Sequence, residues 1–149
     1  MDKNTIKIKK YSDVIEEFAA GGAITPGHLI AVNSAGAVVV HATAGGNVLP
    51  MFALEDELQG KGIDDAYASG DQVQCWIPYR GDIVYALLED GQSVAIGDFL
   101  GSTGSGTLQV LTEESAGPVE VIVGVATEAV DLSASANLSA DGRIQVRII

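Results

Sequence analysis

The chain has 149 residues, 47% of them hydrophobic and 19% charged, which is enough apolar material for a packed core and excludes a disordered chain. Its net charge is −12, a surface that a phosphate backbone repels, so nucleic acid is not an expected partner. No apolar run approaches the roughly 20 residues of a membrane-spanning helix, the opening MDKNTIKIKK has no apolar segment behind its charges and is not a secretory signal, and the lone Cys75 excludes an intrachain disulfide, which fits folding in a reducing cytoplasm.

In chain order, residues 1–11 read as an extended arm. Ile6 and Ile8 alternate with Lys7 and Lys9, the period of a strand, and no pairing partner stands nearby in sequence. Lys3, Lys7, Lys9 and Lys10 face only Asp2, so the first ten residues carry +3 and the other 139 carry −15 of the total −12. Residues 12–20 predict one short helix, with Ser12 or Asp13 as the cap, Glu16 in its first turn and Val14, Ile15 and Phe18 on one face, ended by Gly21-Gly22.

From there the pattern is strands and turns. Residues 29–32 and 37–41 flank a hairpin turn at 33–36, and 48–54 is a third strand. The polar stretch 55–69 reads as a solvated loop with a helical turn near 56–58. In 72–77, Val73, Cys75 and Ile77 alternate inward against Gln72, Gln74 and Trp76 outward. A turn at 78–81 leads into 83–88; strands at 99–100 and 107–111 flank the glycine-rich turn 101–106; 119–127 is a long apolar strand; 131–142 is a loop; and 143–149 is the last strand, with Ile144, Val146 and Ile148 facing in.

An internal repeat organises these elements. Ile24, Gly27, Ile30, Gly36, Val38 and Val40 correspond to Val94, Gly97, Leu100, Gly106, Leu108 and Val110 at a constant offset, and 48–54 and 73–77 correspond more loosely to 121–127 and 144–148. The expected fold is therefore mainly β: a compact β-barrel or sandwich built from two similar halves, about 24–77 and 94–148, with one short N-terminal helix and an extended N-terminal arm. Residues 12–149 form a single β domain in this reading.

Little in the sequence carries chemistry. His28 follows the turn Pro26-Gly27 and His41 ends a strand, so both read as surface turn residues rather than bases beside a nucleophile. Cys75 reads as a small core residue. One Cys and two His do not make a zinc site, and Glu55-Asp56-Glu57 with Asp64-Asp65 lack the alternation of a calcium loop. No lysine follows the glycines of 101–106 as a phosphate loop requires, and Arg80-Gly81-Asp82 reads as a hairpin rather than an adhesion tripeptide. No catalytic, cofactor-binding or metal-binding residue is expected, and the chain does not read as an enzyme. The candidate partner-binding residues are those of the arm: Ile6, Lys7, Ile8, Lys9, Lys10 and Tyr11, through strand addition and charge. The alternative is a biotinyl- or lipoyl-like carrier domain or another small β binding module; 91–100 looks like the GxxVxxGDxL stretch of carrier domains, whose one candidate lysine here is Lys61.

Several runs together resemble the decoration (cement) proteins of tailed-phage heads: Tyr67-Ala-Ser-Gly-Asp71, Pro78-Tyr-Arg-Gly-Asp82-Ile-Val-Tyr, Gly97-Asp-Phe-Leu-Gly and Gly124-Val-Ala-Thr-Glu-Ala-Val-Asp131, closed by Arg143-Ile-Gln-Val-Arg147. The resemblance covers roughly 24–149. It implies a β-barrel or β-tulip-like module on the outer surface of the virion capsid, often a trimer, that is made in the host cytoplasm and bridges major capsid proteins. It implies no cofactor.

Overall fold

The computed structural model describes residues 3–112, 120–134 and 141–149. Met1 and Asp2 of the predicted arm, residue 119 of the predicted strand and the middle of the predicted loop 131–142 lie outside the described residues. Among the described residues thirteen strands follow one another: β1 (Lys7–Lys9), β2 (Ile15–Ala19), β3 (Ile30–Val32), β4 (Val38–Val40), β5 (Phe52–Ala53), β6 (Gln72–Trp76), β7 (Ile83–Leu88), β8 (Ser93–Val94), β9 (Phe99–Ser102), β10 (Leu108–Val110), β11 (Gly124–Ala126), β12 (Val130–Asp131) and β13 (Gly142–Ile148). One turn of 3-10 helix, Glu57–Gln59, interrupts the long connection between β5 and β6.

The predicted N-terminal helix is a strand. Ile15–Ala19 pairs antiparallel with β6, from Ile15 opposite Trp76 to Ala19 opposite Gln72. A helix of nine residues ended by two glycines gains little by itself, whereas pairing satisfies an otherwise open edge of β6 and lays Phe18 against a buried cluster. Asp13 does not cap a helix; it accepts a hydrogen bond from Lys10 Nζ at 2.7 Å.

The second half of the chain closes into a five-stranded barrel. Its strands follow in the order β7, β10, β9, β11, β13, and β13 returns to β7 over six residue pairs, from Gly142 opposite Leu88 to Arg147 opposite Ile83. The one parallel contact, Leu108 opposite Leu88, joins β10 to β7. The first half carries a second ring of pairings. β2 pairs with β6 and β6 with β5; the bridge Leu29–Phe52 leads from β5 to the β3–β4 hairpin, and the parallel bridge Ala20–Val38 returns to the end of β2. The Asn33–Gly36 turn forms as predicted, with Asn33 Oδ1 accepting from the amides of Ala35 and Ala37 at 2.9 and 3.0 Å.

Buried side chains form two clusters. The larger, which includes Leu88, Leu100, Leu108, Ile144 and Val146, fills the five-stranded barrel and also takes in Ile6, Leu29, Phe52 and Trp76. The smaller joins Ile24, Ile30, Val38, Val73 and Cys75 inside the ring of the first half. Val73 and Cys75 face inward as expected. Trp76 was expected outward, on the wet face of its strand; it is fully buried, because the opposite face of β6 is covered by the larger cluster. The strand thus has a core on each side, and alternation along it separates two interiors rather than inside from outside. Trp76 Nε1 has no hydrogen-bond partner among the described residues.

Candidate partner surface at the N-terminal arm

The arm is laid down on the body of its own chain. Lys7 stands opposite Val84 and Lys9 opposite Ile83, with a register shift between them, so β1 is an antiparallel edge strand on β7. The pairing partner that the sequence left open lies in the same molecule, 77 positions on, at Val84, in the case of Lys7. Three acidic side chains fix it. Glu55 is buried and accepts the amide of Ile6 at 3.2 Å. Asp82 is fully buried and accepts the amides of Tyr11 at 2.6 Å and Tyr79 at 2.8 Å. Asp13 receives Lys10 at 2.7 Å and Lys7 at 3.8 Å, and the Lys10 hydrogen bond holds its carboxyl below the usual range.

These contacts divide the six candidate residues. Ile6 has no exposed surface and belongs to the larger core cluster, so its part is to anchor the arm. Lys7 and Ile8 are half-buried. Lys9, Lys10 and Tyr11 are exposed: Tyr11 keeps 68% of its surface, with the Lys9 ammonium 5.3 Å from its ring centre. Tyr79, 56% exposed, is tied to the same carboxylate as Tyr11. The exposed part of the arm is therefore a cationic and aromatic tip. The sequence raises Glu55 only as a calcium ligand, and Asp82 and Tyr79 only within Arg80-Gly81-Asp82 and the run Pro78-Tyr-Arg-Gly-Asp82, never as a partner surface. The burial of Asp82 removes the carboxylate that an adhesion tripeptide must present.

Both histidines depart from the surface-turn expectation. His41 is buried, with Nδ1 2.6 Å from Ser102 Oγ and Nε2 3.1 Å from the Asn47 carbonyl oxygen. A carbonyl only accepts, so Nε2 carries the proton and Nδ1 accepts from the Ser102 hydroxyl. Ser102 Oγ in turn accepts the Gly104 amide at 3.1 Å. A serine bonded to a histidine is one element of an acyl-transfer site. Here both side chains are buried, the second ring nitrogen faces a carbonyl instead of a carboxylate, and the pair ties the end of β4 to β9. His28 is part-buried and accepts the Thr25 amide through Nδ1 at 3.0 Å.

The remaining candidates occupy ordinary positions. Burial pushes the Cys75 thiol up to about 12, which leaves it a core side chain and not a nucleophile. Lys61, the carrier alternative's lysine, is exposed in the connection between β5 and β6. The acidic loop is partly structural: the Arg143 guanidinium reaches across to Asp64 at 3.3 Å and to the carbonyls of Pro26 and Ile63 at 2.9 and 2.6 Å. Among the described residues no three His, Cys, Asp or Glu side chains gather as a metal site requires, and no helix is long and apolar enough to cross a membrane. No known protein family and no curated protein matches the chain.

Proposed function

We propose that this chain is a structural binding module that decorates the outer surface of a tailed-phage head and bridges its major capsid proteins, with no catalytic step of its own. The observation that carries the reading is the tip formed by Lys9, Lys10, Tyr11 and Tyr79, held rigidly by buried carboxylates on a body that otherwise carries −15. Such a tip gives a repelling, soluble body one face suited to an acidic neighbour. Tyrosine and a flanking cation supply contact area at low entropic cost. On a lattice, modest contacts repeated over many copies add up, and a trimer of chains would present three such tips at once. The resemblance of residues 24–149 to decoration proteins supports the same reading.

The two rings of pairings are, in this proposal, two copies of one ancestral unit. What supports this is register. Ile30 opposite Val40 matches Leu100 opposite Val110, and Ala53 opposite Cys75 matches Ala126 opposite Val146. Phe18 opposite Val73 matches Ala86 opposite Ile144, and the parallel contact Ala20–Val38 matches Leu88–Leu108.

The test is to mix the purified protein with empty heads assembled from the major capsid protein of the same genome, pellet them, and image them by electron cryomicroscopy. Density on the outer surface and heads that withstand a higher temperature are expected. Lys9→Glu with Lys10→Glu should weaken binding by about tenfold or more, roughly 1.4 kcal/mol. Bare heads at saturating protein overturn the proposal. Deleting the arm would not be a clean test, because Ile6 is part of the core.

A further inference from the structure

Among the described residues, β2 keeps an uncovered edge where the corresponding strand β7 is covered. On β7, the residues that do not bond β13 point their amides the other way and find partners: Tyr85 donates to the Ile6 carbonyl at 2.8 Å and Leu87 to the Gly27 carbonyl at 3.0 Å. β2 stands to β6 as β7 stands to β13, with Glu17 opposite Gln74 where Tyr85 is opposite Gln145. Ala20 donates to the Asp71 carbonyl and Ile77 to the Val14 carbonyl, so even-numbered residues of β2 face β6. By alternation Ile15, Glu17 and Ala19 face away from it. β2 is the last strand of its sheet, and among the described residues nothing pairs with that edge before the Ala20 bridge. The cause is order in the chain. β7 is covered by segments that precede it, β1 and the Gly27 turn, and only a short arm precedes β2.

The surroundings of the edge have a definite chemistry. Glu16 and Glu17 lie on β2 itself, and Glu17 accepts from Gln74. Beside Ile15 an open hollow of about 150 Å³ reaches across β6, with Gln74 beside an apolar lining from Ile15, Leu54 and Leu58 and an acidic rim from Glu55, Asp56 and Glu57. Lys7 stands on its wall but is engaged by Asp13. An apolar floor under a carboxylate rim accommodates the methylene stem and charged head of a lysine or arginine. β1 shows what a strand that fits such an edge looks like in this protein: Ile6-Lys7-Ile8-Lys9, alternating apolar and basic.

We infer that the free edge of β2 docks an extended, lysine- or arginine-bearing segment of a partner protein, which adds antiparallel to Ile15–Ala19 and places one basic side chain in the hollow beside Ile15. The backbone ladder supplies affinity and the acidic edge selects a basic strand. A second copy of this chain is disfavoured as the occupant, because two chains of net charge −12 repel each other. The inference does not rest on the capsid reading; any partner offering such a strand satisfies it.

The experiment uses the isotope-labelled full chain and, as probe, a blocked synthetic peptide copying residues 5–11. At low salt, titration should move the amide resonances of Ile15, Glu17 and Ala19, and 0.5 M salt should weaken binding by about tenfold or more. Glu17→Pro removes the outward amide and the side-chain bond to Gln74 but leaves the backbone bonds to β6, and should abolish the shifts. Glu16→Lys with Glu17→Lys keeps the backbone, so it serves if the proline variant does not fold, and it should weaken binding at least about tenfold. No shifts at millimolar peptide, shifts confined to Ile83–Leu88, or variants that bind as tightly as the parent would each overturn the inference.

Discussion

Two turns show how different side chains do one job. In the turn that leads to β3, His28 Nδ1 accepts the Thr25 amide at 3.0 Å; in the turn that leads to β9, Asp98 Oδ2 accepts the Ala95 amide at 2.8 Å. Only the histidine titrates near neutrality. Burial holds its pKa below the ordinary 6.5; Arg143 pushes the same way, and Asp141 opposes. The unfolded chain therefore takes up a proton at His28 before the folded one does. Stability from this group is full above about pH 6.5 and declines as pH falls below it toward the lower folded value. His28→Asn, which can accept the same bond without titrating, should remove that part of the decline; urea midpoints from pH 8 to pH 5 for both proteins would show it. The glycines of the same turns give a second comparison. Gly27 and Gly97 share φ of 94°, a conformation that strains any side chain, but a Cβ at Gly27 would also meet Arg143 Nη1 at 2.6 Å while one at Gly97 meets nothing. Gly97→Ala should cost about 1 kcal/mol and Gly27→Ala clearly more, about 2–3 kcal/mol, by chemical denaturation. Val146 faces in, as its alternation in the sequence foretold, and is fully buried; Val146→Ala should cost about 1–3 kcal/mol. An unchanged midpoint would contradict the packing described for β13.

Among the elements, the arm and β2 mark where reading the sequence stops. The alternation of Ile6-Lys7-Ile8-Lys9 was enough to predict a strand, but a strand's partner is not written in its own residues; β7 was out of reach without the fold. Residues 14–18 carry apolar side chains at a spacing that serves a helix face as well as a half-exposed edge, and only the open side of β6 decides between them. That misreading also hid β2, the first strand in the pairings of the first half. Because Ile6 is core, Ile6→Ala should destabilise the folded protein by about 2–4 kcal/mol, whereas Lys9→Ala and Lys10→Ala should stay within about 0.5 kcal/mol. Thermal melts of the three variants separate an arm built into the fold from one merely resting on it.

For the whole molecule, the glycine spacing and the offsets between 24–40 and 94–110 were legible because tight turns need particular residues at particular places. The histidines were not, because burial of a polar side chain depends on what crosses above it, as Ser102 crosses His41. Nor was Trp76, whose strand alternates between two interiors. That last feature has a mechanical consequence. β6 is a party wall: Val73 and Cys75 support one room, Trp76 the other. Neither room can be emptied while the wall stands, so the two should melt in a single cooperative event. The chain's one tryptophan is set in that wall as a built-in reporter. Its fluorescence should change at the same denaturant concentration as the far-ultraviolet dichroism of the strands, and two separated transitions would mean that the rooms come down independently.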